Sequence, residues 1–230
     1  MRDTFKRPQR MRERTEKILI IVEIGVLLFL IFARVIHVFP FSSIAFALVL
    51  VLFSLYLRRV GLSGIGLSRP KSWIKFGLLG IGVGIAFQFL SLYVIEPVLA
   101  RLTGHLPDLS QFAALKGNAQ FLLTWLAISW TVAAFGEEIV YRGYFMTRIT
   151  DLTGKTQFAW LVSLILTAIL FGSIHYYQGI SGMISTGISG LVFGILYLAT
   201  QRNLWAAIVA HGVYDTAGFL LIYLGKYPGV

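Results

Sequence analysis

The chain has 230 residues, of which 57% are hydrophobic and 13% charged. That is far too apolar for an ordinary soluble domain of this length. The formal net charge is +10 and there is no cysteine, so disulfides and thiolate chemistry are excluded. The charge would suit nucleic acid on a soluble protein, but here the cations fall where membrane topology would put them.

A membrane-spanning helix needs roughly 20 apolar residues. Seven candidate spans follow one another, at about 18–38, 41–57, 74–95, 119–141, 158–175, 180–199 and 203–224. The expected fold is an all-α polytopic membrane protein, about seven transmembrane helices in one bundle around a buried polar site. Residues 1–17 carry seven Lys/Arg against three acids and read as a basic cytoplasmic tail touching anionic lipid. Residues 18–230 read as a single transmembrane domain. The first apolar run is long and lacks a small-residue cleavage site, so it reads as a retained helix. Within it Glu23 has no obvious partner and reads as structural, while Arg34 and His37 lie toward its outer end.

The connector "RRVGLSGIGLSRP", Arg58–Pro70, is rich in glycine, serine and proline. With Lys71 and Lys75 it forms the next basic group, followed by Arg148 and Lys155, then Arg202. These groups occupy alternate loops, which places the N-terminus inside and the C-terminus outside. The outer loops are poorer in cations; Arg101 and Lys116 are balanced by Glu96 and Asp108, and His105 lies in a loop. In "LPDLSQFAAL", Asp108 or Ser110 can cap an amphipathic stretch at the outer interface. Gly80 and Gly84 are four apart, as are Gly190 and Gly194, a spacing that lets helices pack closely in lipid.

Three polar clusters interrupt the later spans. The first is "GEEIVYRGYF", Gly136–Phe145, with Glu137, Glu138 and Arg142. The second is "FGSIH", which puts His175 at the end of the fifth span, and the third is "HGVYD", which puts His211 and Asp215 in the middle of the seventh. Charges in a bilayer are costly, so they are paired, face a wet interior, or work. At about 100° per residue, Glu138 and Arg142 share a face and can neutralise each other. Glu137 is rotated well away from Arg142. It is the unpaired carboxylate, suited to exchange a proton as a general acid or base. Glu137 and His175 are each 19 residues from Thr156, so an antiparallel hairpin places them at matching depth. That match extends to His211 if the fourth helix continues past Arg142.

"EEIVYR", "FGSIH" and "HGVYD" resemble, in that order, the EExxxR, FxxxH and HxxxN/D motifs of the CAAX protease and bacteriocin-processing (CPBP, or Abi) family of intramembrane proteases. The resemblance extends loosely over about 67–224, the protease-like core. It implies hydrolysis of a peptide bond in a membrane-associated peptide or protein, a prenylated CAAX peptide in the eukaryotic relatives. It further implies that Glu137 and His175 activate water, that His211 and Asp215 stabilise the oxyanion, and that Glu138 and Arg142 hold the site. The family often has Asn where this chain has Asp215. An ionised Asp cannot donate to an oxyanion, so the expected role of Asp215 is to orient His211.

On this reading no cofactor is needed. The alternative is a metalloprotease in which Glu137, His175 and His211 hold Zn²⁺ or another divalent cation, although HExxH is absent. A second alternative is a non-hydrolytic transporter or an immunity or scaffold protein, since buried carboxylates and histidines also serve proton relays. The partners expected are a membrane-associated substrate and the lipid bilayer, with no nucleic acid. The small helical design points to a prokaryotic cell membrane.

Overall fold

The computed structural model describes residues 9–35 and 43–230, with side chains over 13–32 and 44–230. Arg34, His37 and the first residues of the basic tail therefore lie outside the described side chains. Among the described residues the chain is helical and has no strand. We number the helices α1 (Gln9–Val35), α2 (Ser43–Leu57), α3 (Trp73–Thr103), α4 (Ala119–Thr153), α5 (Gln157–Ser173), α6 (Gly179–Ala199) and α7 (Leu204–Tyr223). Side chains just outside the helices start four of them. Ser72, Asn118, Thr156 and Asn203 each accept a backbone N–H of the first turn, opening α3, α4, α5 and α7. Gly104 and Gly154 close α3 and α4 in the left-handed conformation, where a side chain would be strained.

Four helical stretches are long and apolar enough to cross a membrane among the described residues: α3, α4, α7 and the stretch Tyr176–Ala199 that contains α6. The sequence led to an expectation of seven such spans. The helices α2 and α5 have 15 and 17 residues, about 23 and 26 Å at 1.5 Å per residue, less than a hydrocarbon core of about 30 Å. Conversely, α3 and α4 reach 31 and 35 residues, longer than the apolar runs suggested. Both incorporate wider turns with i→i+5 bonding, Ser91–Ile95 in α3 and Ser129–Phe145 in α4. Helix α4 does continue past Arg142, as matching the depth of His211 requires.

Small residues set the packing. Gly80 and Gly84 of α3 lie against the Ala206 and Ala210 carbonyls of α7, and a Cβ at either position would collide with them. Gly190 and Gly194 of α6 lie likewise against Ala168 and Leu164 of α5. Both pairs of closely spaced glycines are therefore helix-packing faces. The main core gathers Phe87, Tyr141, Phe171, Phe193 and the alanines of α7. A second, smaller cluster gathers Leu115, Leu122, Phe219 and Tyr227.

Two glutamates differ from their expected settings. Glu96 is not an exposed charge balancing Arg101. It is 3% exposed within α3, accepting from Ser91 Oγ at 3.0 Å and the Tyr227 hydroxyl at 2.8 Å. Burial pushes the Tyr227 phenol well up, so it stays a donor. Glu23 has partners from distant elements. Arg58 pairs with it at 2.9 Å, and Ser54 Oγ and the Tyr144 hydroxyl donate to it at 3.0 and 2.7 Å. These contacts come from residues 31 to 121 positions away, which is why the neighbouring sequence showed none.

Candidate active site

The wide turns of α4 reset the geometry around the paired glutamates. With i→i+5 bonding each residue turns by roughly 80° rather than roughly 100°. Glu137 and Arg142 then differ in azimuth by roughly 40°, not the roughly 140° of an α-helix. The guanidinium nevertheless goes to Glu138, Nη1 to Oε1 at 2.8 Å, and its Nη2 donates to the Gly190 carbonyl at 3.2 Å. Arg142 also stacks 4.5 Å over the Phe171 ring, a favourable seat for a desolvated cation. Glu138 is 0% exposed and Arg142 1%, so their pairing is what makes both tolerable.

One step along the chain the environment changes. Glu137 is half-buried and faces a cavity of about 800 Å³. Ser129, Ala133, Glu137 and Tyr141 border that cavity at intervals of four residues, while Ala134, Glu138 and Arg142 are buried in the protein interior. His175, His211 and Asp215 border the same cavity. The structure thus brings together around one space the four residues singled out as catalytic, with Glu138 and Arg142 packed behind them.

Hydrogen bonds fix the two imidazoles. His175 follows the last turn of α5, and its Nδ1 lies 2.7 Å from the Phe171 carbonyl. A carbonyl only accepts, so in this bond Nδ1 carries the proton. His211 Nδ1 lies 2.9 Å from Glu138 Oε1, and its ring stacks on Phe193 at 4.9 Å. A carboxylate also accepts, so Nδ1 is again the donor. His211 can then donate from Nε2 only as the imidazolium, with Glu138 and Asp215 supplying countercharge.

Asp215 lies within ion-pair range of His211. Its Oδ2 is 3.7 Å from His211 Nε2, beyond a hydrogen bond. It accepts instead from Ser129 Oγ at 2.6 Å. The residue that orients His211 is Glu138, because α7 presents Nδ1 to α4 and Nε2 to the cavity. Sequence reasoning also missed Ser129, and it missed Gln88, which is 1% exposed, borders the cavity and has an Nε2 without a hydrogen-bond partner. No motif marks either residue; both are polar residues in apolar helices, which is the one signal they leave in the sequence. Among the described residues no group of three or more His, Cys, Asp or Glu is placed to hold a metal ion.

The fold and cavity define a helical membrane protein in which three carboxylates, Glu96, Glu137 and Asp215, and two imidazoles border one cavity. Residues 119–217 match the family model described as type II CAAX prenyl endopeptidase, Rce1-like. This segment is thereby similar to the CAAX protease (CPBP) family, and all three polar motifs fall inside it. That family is one of proteases, which supports intramembrane protease activity in an integral membrane protein. No curated protein and no solved structure matched the chain.

Proposed function

We propose that the protein is an intramembrane endopeptidase that hydrolyses a peptide bond in a membrane-associated peptide, of the prenylated CAAX type, by a glutamate-dependent mechanism. The observation that carries this reading is the shared cavity bordered by Glu137, His175, His211 and Asp215. Its volume, about 800 Å³, is within the range of ligand pockets. Water held between Glu137 and His175 Nε2 loses a proton to this pair as it attacks the scissile carbonyl. The imidazolium of His211 faces the developing oxyanion from Nε2, a kind of stabilisation that contributes several kcal/mol. Gln88 Nε2 supplies a further donor for a substrate carbonyl. Glu138 and Arg142 position His211 and do not touch the substrate. Proton transfer back to the departing amine completes the hydrolysis.

The test is cleavage of a membrane-reconstituted peptide library by wild type and Glu137→Gln, with metal analysis of the same preparations. Activity that resists thorough chelation, in protein without stoichiometric Zn²⁺, agrees with this mechanism. Activity recovered only when metal is returned to stripped enzyme would overturn it in favour of a metalloprotease. A protein that cleaves nothing, yet moves protons or a solute through the cavity, would point to the non-hydrolytic class.

A further inference from the structure

A second cavity, of about 840 Å³, lies away from the first. It is bordered by the beginning of α1, the connector 58–68, the end of α4 and the turns that precede α5 and α7. These are the segments that carry the basic loops. Five cations border it: Lys17, Arg58, Arg148, Lys155 and Arg202. Its carboxylates are fewer, Glu13, Glu16 and Asp151, and Asp151 is already engaged by Arg148 at 3.1 Å and Lys155 at 2.9 Å.

Arg148 is the unusual member. It is 6% exposed and its guanidinium lies 4.9 Å over the Tyr144 ring. Only Nη1 has a partner, Asp151; Nε and Nη2 are buried without a hydrogen bond. Unmet donors on a buried cation are costly, and native proteins rarely leave them so. The Nε–Nη2 edge is the side of the guanidinium that grips a phosphate through two parallel N–H···O bonds.

We propose that this cavity is a binding site for a phosphate group, gripped by the Nε–Nη2 edge of Arg148 and flanked by Lys155 and Arg202. Its position among the basic loops suits the headgroup of an anionic lipid in the adjacent leaflet, while free phosphate shares the same chemistry. A bound phosphate would tie the end of α4 to the turns before α5 and α7.

The experiment uses the full chain in a phosphate-free detergent, titrated with dioctanoyl phosphatidate, dioctanoylglycerol or inorganic phosphate, and followed by thermal unfolding. A ligand that binds only the folded state raises the midpoint as it saturates. Phosphatidate is expected to raise it while dioctanoylglycerol, with the same tails, does not; Arg148→Gln weakens the apparent Kd at least about tenfold. A response to phosphatidate alone assigns the site to a lipid headgroup, and a comparable response to inorganic phosphate assigns it to the free ion. Should Arg148→Gln fail to fold, the exposed pair Lys155→Gln with Arg202→Gln serves, with a loss of at least about threefold expected. No shift with either phosphate probe, an equal shift with dioctanoylglycerol, or an unchanged Kd in the variants would overturn the proposal.

Discussion

Two glutamates, the half-buried Glu23 and the buried Glu138, are each held by an arginine, and they differ in how completely they are satisfied. At Glu23, Oε1 accepts from Ser54 and from Arg58 Nε, and Oε2 accepts from Arg58 Nη2 and Tyr144. Both oxygens are used, and the network ties α1 to α2 and α4. At Glu138, Oε1 serves both Arg142 and His211 while the buried Oε2 has no partner. A polar network in a low dielectric is rigidifying when complete and costly when it is not. The complete network belongs to the scaffold. The incomplete one backs a cavity, where its polarity is turned toward His211.

That contrast is sharpest at the residue next to Glu138. Glu137→Gln keeps shape and volume but removes the carboxylate proposed to take the proton from water. Peptide cleavage is expected to fall by roughly 10²–10⁴-fold with the circular dichroism spectrum and unfolding midpoint unchanged; near-normal turnover would sink the general-base assignment. Its neighbour is expected to behave differently. Glu138→Gln leaves Arg142 buried without its countercharge, at a cost of about 3–5 kcal/mol, and leaves His211 without its orienting carboxylate. Yield, denaturant midpoint and activity should all drop together. A stable, active variant would mean that Arg142 is held well enough by Gly190 and the Phe171 ring.

The scaffold network predicts the opposite split. Glu23→Gln should destabilise the fold by about 1–3 kcal/mol, discounted toward the lower end because Arg58 and Glu23 side chains are 15% and 25% exposed. Turnover per folded molecule should stay at the wild-type value, and a selective loss of activity would erase the distinction between the two centres. The smallest effect is expected at Asp215→Asn, because Glu138 rather than Asp215 holds the His211 ring. Less than about tenfold loss of kcat/KM is expected, with KM little changed. A collapse in activity would instead give the Asp215 charge a direct part in stabilising the imidazolium.

On the proposed mechanism, Glu137 must be ionised to accept the proton from water. On this mechanism activity therefore falls at low pH, an acid limb that reports Glu137 together with the titrating groups around it and not one residue alone. Measuring kcat/KM against pH in wild type and in Asp215→Asn separates this limb from any contribution of Asp215.

Local features were largely legible in the amino-acid order. The apolar runs, the glycine pairs and the three polar motifs depend on neighbours a few positions apart, so the helical fold and four residues that border the cavity could be read directly, whereas the helix caps, Ser129 and Gln88 were not. The Glu138–Arg142 pair was also local. What the sequence could not contain was any partner reached through space. Glu23 meets Arg58 and Tyr144, Glu96 meets Tyr227 and Asp215 meets Ser129 only because separate helices pack side by side. The same packing decided that Glu138 and not Asp215 orients His211.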